Sequence, residues 1–192
     1  SKLKALGLIS KVKTAFLKAA ELDPVDKKVR WALVELYAQL PGVLGGSNEK
    51  AMVYASDLEA LSKPHGFFSR AYVYENSNRV ALAKTYYKKG LEVLNKLACF
   101  QTELSRTSHL KSHNNSLHFL VAKACMLHDT QLSIGQNYIQ FYIDAFSSKD
   151  RETLEEAYML QAQLFRLQNK ISEALASIEK ALSIKSDFKP AL

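Results

Sequence analysis

The chain of 192 residues has only two cysteines, four prolines and seven glycines. Cys99 and Cys125 are too few for a disulfide framework and do not by themselves make a zinc ligand set. Both stand among helix-forming residues and read as packing residues. The prolines and glycines fall mostly in short clusters between long periodic segments, which is how an all-helical chain is punctuated. No apolar run approaches the roughly 18 residues of a membrane span, and no secretory-type apolar segment opens the chain. Also missing are a Gly-x-Ser-x-Gly elbow, a His-Glu-x-x-His pair and paired carboxylates framed by apolar residues. No nucleophile or acid–base pair can therefore be nominated, and no cofactor is implied.

What is present is a 47% apolar content, enough for a continuous core, and a formal net charge of +7. Residues 1–30 hold eight Lys and Arg against three acidic residues, which is +5 and leaves +2 for the rest. A basic adaptor meeting nucleic acid or anionic lipid through residues 1–30 is the alternative reading that this suggests. Lysines spaced along an amphipathic helix more often form its solvated face, so nucleic acid is the lesser expectation.

Self-similarity organises the rest. From Leu154 to Ile184 the text reads as two helices with a turn at Gln168, Asn169 and Lys170. Tyr158, Ala162 and Phe165 lie three and four apart on the first helix, and Ala174, Ile178, Ala181 and Leu182 do so on the second. Ala162 and Ala174 let the paired helices approach, while the aromatics fill the space around that contact.

Aromatic, small, aromatic, followed by two spaced alanines, resembles the tetratricopeptide repeat, a helical hairpin of ~34 residues. The pattern returns in Phe67, Ala71 and Tyr74 with Ala83, Tyr87 and Gly90, and in Leu33, Val34 and Tyr37 after AELDPVD. A degenerate form is carried by Phe119, Ala122 and Cys125 with Gly135, Tyr138 and Tyr142. With LPGVLGGSNEKA and DFKPAL, the whole is similar to a group of bacterial tetratricopeptide proteins carrying a Pro-Gly and Gly-Gly insertion. The resemblance implies an all-α, right-handed solenoid of hairpins and a single domain over residues 1–192. Its expected parts are a partial repeat at 1–24, a repeat at 27–63 with an insertion at 41–48, and a repeat at 64–97. An irregular connection at 98–115, a degenerate repeat at 116–147 and a repeat at 153–186 complete it.

Phe16 and Ala19 then belong to a second helix whose first helix is missing, so the chain begins in mid-repeat. A helix from about Leu8 to Leu22 would carry Leu8, Val12, Ala15, Phe16 and Ala19 on one uncovered stripe. More protein before Ser1, or self-association through this N-terminal helix, would cover it.

Two constellations invite chemistry. Gly42, Gly45 and Gly46 ahead of Ser47 could cradle an anion at a helix start, but the Gly-Lys-Ser or Gly-Lys-Thr ending of a phosphate loop is absent. A plain loop with Ser47 or Asn48 as helix cap fits better. His109 and His113 share a helical face, yet only His118, His128 or Cys125 could complete a ligand set and no zinc spacing is present, so no metal site is expected.

The resemblance implies a non-enzymatic scaffold that holds a protein or peptide on the concave face lined by first helices. The residues left over by the core pattern there are Lys28, Trp31, Glu35, His65, Phe68, Tyr72, Phe119, Lys123, Gln163 and Arg166. Its four aromatics either anchor a partner or pack against neighbouring helices or the 41–48 loop. The clamp that some repeats of this kind use for chaperone C-termini is missing: Trp31, Glu35, Ser69, Ser116 and Leu120 stand at its places. A circular dichroism spectrum of the chain is expected to show helix without a strand component; substantial strand content would refute the architecture.

Overall fold

A computed structural model describes the backbone of residues 2–100 and 115–189, and the side chains of residues 7–96 and 115–189. All regular structure among these residues is helical. The chain divides into two compact units, Ser1–Gln101 and Thr102–Leu192. The first holds α1 (Lys2–Leu22), α2 (Lys27–Gln39), a 3-10 turn (Gly42–Leu44), α3 (Asn48–Leu61), α4 (Lys63–Asn76) and α5 (Val80–Phe100). The second holds α6 (Asn115–Leu127), α7 (Leu132–Asp144), α8 (Leu154–Leu167) and α9 (Ile171–Ile184). The irregular connection expected at 98–115 lies almost wholly outside the described residues.

Within each unit, every helix packs on the one before it, and the first helices of successive hairpins also meet, α2 with α4 and α6 with α8. The hairpin turns have one chemistry. Asn78, Asp129 and Asn169 each take a left-handed backbone, with φ of 60°, 44° and 58°. Short polar side chains tolerate that conformation best after glycine. The next amide then reaches back five residues, Arg79 to Tyr74, Thr130 to Cys125 and Lys170 to Phe165, capping the preceding helix in the Schellman manner. Side chains cap some of the helix starts: Asp26 accepts from the amides of Lys28 and Val29, and Thr153 forms a capping box with Glu156.

The first hairpin departs from this scheme. Leu40 closes α2 before Pro41, a residue that cannot continue its hydrogen-bond ladder. The amides of Leu44, Gly45, Gly46 and Ser47 go to the carbonyls of Pro41, Gly42, Pro41 and Tyr37. Gly45 has a φ of 87°, the left-handed region open to glycine. Ser47 caps α3 by accepting from the Lys50 amide at 3.2 Å.

The cores are built around small residues that set helix separation. In the first unit α3 and α4 approach so closely that a Cβ on Gly66 would overlap the Glu59 backbone. Arg70 fastens the same pair, donating to Glu59 at 2.7 Å and Ser56 at 2.9 Å. In the second unit Ala157, Ala162, Ala174 and Ala181 are buried between α8 and neighbours. The stripe read on α9 needs correction. Ala174, Ser177 and Ala181 face the core, while Leu182 is exposed and Ile178 half-buried. Ser177 turns inward because its hydroxyl meets Gln161 Oε1 at 3.0 Å, and Gln161 in turn donates to Gln140 Oε1 at 3.0 Å. This series of polar groups joins α9, α8 and α7, running from the buried Ser177 and Gln161 out to the exposed Gln140.

The first helix is the least buried. From Gly7 to Leu22 no residue is fully covered; Leu8, Val12 and Ala15 are exposed, with Phe16 and Ala19 half-buried. Two substitutions test the packing. Ala162→Leu is expected to overpack α8 at a cost of about 1–3 kcal/mol, and Gly66→Ala to cost at least that by separating α3 from α4. Unchanged urea midpoints would contradict the stated contacts.

Candidate partner-binding faces

The ten residues expected on the first helices divide sharply by burial. Trp31, His65, Phe68, Tyr72 and Phe119 are buried. Glu35, Lys123 and Gln163 are half-buried, and Lys28 and Arg166 exposed. Of the two readings left open for the four aromatics, their burial answers to the second: the rings pack in the cores. Their size explains it. The Phe68 ring reaches α5, where it stands 6.1 Å from Tyr87 and so near Gly90 that a Cβ there would lie 2.7 Å from it. Phe119 meets Tyr142 of α7 edge-on at 5.4 Å. Aromatic pairs in such tilted geometry are favoured over the burial of either ring alone.

The polar groups on these buried side chains are answered. Trp31 Nε1 donates to Glu35 at 2.9 Å. Gln39 donates to the Tyr72 hydroxyl, joining the neighbouring helices α2 and α4. His65 Nδ1 and Ser62 Oγ stand 2.8 Å apart. Ser62 is the residue just before α4, so this pair joins two residues at the start of one helix.

What remains accessible is polar. Lys123 of α6 and Gln163 of α8 hold equivalent places, each one residue past a buried alanine, Ala122 and Ala162, and their helices are neighbours. Arg166 follows Gln163 by one turn along α8. Elsewhere the basic run at 1–30 is partly engaged within the fold. Lys13 stands 5.1 Å from the Tyr37 ring centre, and Arg30 donates to the carbonyls of Asp23 and Asp26. Lys11 and Lys18 are exposed. In the loop at 41–48 the amides of Leu44, Gly45, Gly46 and Ser47 are already bonded to carbonyls of the chain. Among the described residues no three His, Cys, Asp or Glu side chains come together as a metal site; His109 and His113 lie outside those residues. None of the described helices is long and apolar enough to cross a membrane.

Residues 64–93 and 155–188 match the family model of the tetratricopeptide repeat. The chain carries tetratricopeptide repeats. Proteins built from this repeat are generally non-catalytic scaffolds that bind proteins or peptides, and protein–protein interaction is the function class it supports here. Among solved structures, MamA is similar at 12% identity over 96% of this chain and 93% of that one, with a TM-score of 0.45. YrrB, described as a TPR protein with an unusual peptide-binding site, is similar at 17% identity over 90% and 93%, with a TM-score of 0.39. BtubC from P. vanneervenii is similar at 13% identity over 98% and 79%, with a TM-score of 0.45. No curated protein matches the sequence.

The buried Cys125 and the half-buried Tyr138 give the second unit a pH signature. Burial pushes the Cys125 thiol up to about 12 from an ordinary 9.0. Burial first, and then Cys125 itself, pushes Tyr138 up to about 12 from 10.0. Both groups hold their protons more tightly folded than unfolded. Their contribution to stability is therefore complete below pH 9 and is lost as pH rises toward 12. Urea midpoints are expected to be insensitive to these groups below that window and to fall within it. In a Cys99→Ser background, Cys125 should react with a thiol reagent at pH 8 only as fast as the fold opens. Rapid reaction without unfolding would contradict its burial.

Proposed function

We propose that, within each unit, the first helices of these repeats hold a segment of a partner protein through polar contacts, with the buried aromatics of that unit serving as a rigid floor. The burial of Trp31, Phe68, Tyr72 and Phe119 carries this reading, because it leaves Lys28, Glu35, Lys123, Gln163 and Arg166 as the accessible members of the set. Charged and amide side chains recognise a segment by hydrogen bonds and charge. Such contacts give specificity and encounter rate more than raw affinity.

The change of chemistry alters the expected response to salt. A groove gripped by aromatics would bind almost independently of ionic strength, whereas cations open to solvent, as at Arg166, or partly so, as at Lys123, are screened within about 10 Å at 0.1 M salt. Binding through Lys123 and Arg166 should therefore weaken as salt is raised.

The test begins with capture of a partner from the source cell by the intact chain, followed by calorimetry with the purified pair. Arg166→Glu and Gln163→Ala are expected to weaken binding by about tenfold each, the equivalent of 1.4 kcal/mol, with the thermal melt unchanged. Trp31→Ala should instead lower stability by about 3–5 kcal/mol, as loss of a core ring does. Full affinity in both surface variants would overturn the proposed face, and a stable Trp31→Ala variant that alone loses binding would restore the aromatic groove.

A further inference from the structure

Two helices outside the proposed face turn apolar stripes away from their own hairpins. On α1 the stripe is Leu8, Val12, Ala15, Ala19 and Leu22, in steps of four, three, four and three. Leu8 is 63% exposed, Val12 37% and Leu22 76%. On α9 it is Ile171, Leu175, Ile178 and Leu182, in steps of four, three and four, with Ile171 56% exposed, Leu175 55% and Leu182 41%. Neither stripe is the core face of its helix. On α9 that role belongs to Ala174, Ser177 and Ala181. Alternating steps of four and three are the seam of a coiled coil, in which side chains of one helix seat between those of another.

The borders of the two seams carry charges of both signs, since Lys18 is paired with Glu21 at 3.3 Å and Lys170 stands just before Ile171, but they offer one opposed pair. Lys11 and Lys18 each stand one residue before a seam position of α1, Val12 and Ala19. Glu179 stands one residue after Ile178 on α9 and is exposed. We propose that α9 of one copy packs in parallel on α1 of a second copy of this chain. A single register opposes Ile171 to Leu8, Leu175 to Val12, Ile178 to Ala15 and Leu182 to Ala19. In a parallel coil, the residue before one seam position faces the residue five places further along the partner. That rule sets Lys11 opposite Glu179.

The same register places two large residues over two alanines, which fills the seam without crowding it. Pairing α1 with α1, or α9 with α9, brings no opposite charges across the seam within the helices. Because the two faces differ, the contact is head-to-tail, and every joined copy leaves one face of each kind unmatched. Four layers make a small interface, so the association is weak and is favoured by concentration.

The experiment is sedimentation velocity on the full chain at low salt, from about 10 µM to about 1 mM, a span that brackets weak dissociation constants. The mass average is expected to rise above the monomer and beyond the dimer with concentration. Lys11→Glu and Glu179→Lys should each weaken association by about tenfold, and the doubly substituted chain should recover it. All three variants change exposed side chains, and unchanged circular dichroism melts would confirm their folding. A monomer at every concentration overturns the proposal. So does association that both single reversals leave untouched, or that the double reversal fails to restore.

Discussion

The distance at which two helices may lie is the constraint on which this molecule depends. Where a side chain is hydrogen or methyl, as at Gly66, Gly90, Ala162 and Ala174, neighbouring helices come close enough for large rings to fill the flanks of the contact. The positions of Phe68 and Phe119 follow from that approach. A ring on a first helix finds a second helix within reach and is drawn under it, which removes it from the face it would otherwise decorate. The chemical character of the surface is thus a by-product of how the interior is spaced.

The same spacing leaves room for polar groups in the interior. Ser177, Gln161 and Gln140 form a hydrogen-bonded series through the second unit. An inward amide left unpaired would cost more than its hydrogen bonds return, so these groups hold α7, α8 and α9 to one relative register rather than adding much stability. The first unit gains a comparable fix from Gln39 and Tyr72 between α2 and α4, and from Arg70 on Glu59 between α4 and α3.

The helical hairpins were legible because period and punctuation agree: apolar residues recur at three and four, and Asn169 marks the turn in the text itself. Burial was legible for small residues, whose only use at such spacing is close approach. It was not legible for Trp31, Phe68 and Tyr72. A ring one residue round the helix from the core stripe can lie in solvent or reach a neighbour, and the outcome depends on a helix separation that no local pattern states. The α9 stripe failed for a related reason. Ile178 and Leu182 look more suited to a core than Ser177, yet the hydroxyl is drawn inward by a glutamine sixteen residues earlier in the chain.

The loop from Pro41 to Ser47 shows where an array of this kind can accept extra chain. Four of its amides are bonded to carbonyls of the loop or of α2, and Val43 at its tip is 93% exposed. The helices on either side pack directly on each other. Lengthening a surface loop adds only logarithmically to the entropy of closing it. A foreign peptide, a fluorophore or a small folded domain placed there would be carried by the scaffold at little energetic expense, which makes this turn a natural port for displaying cargo.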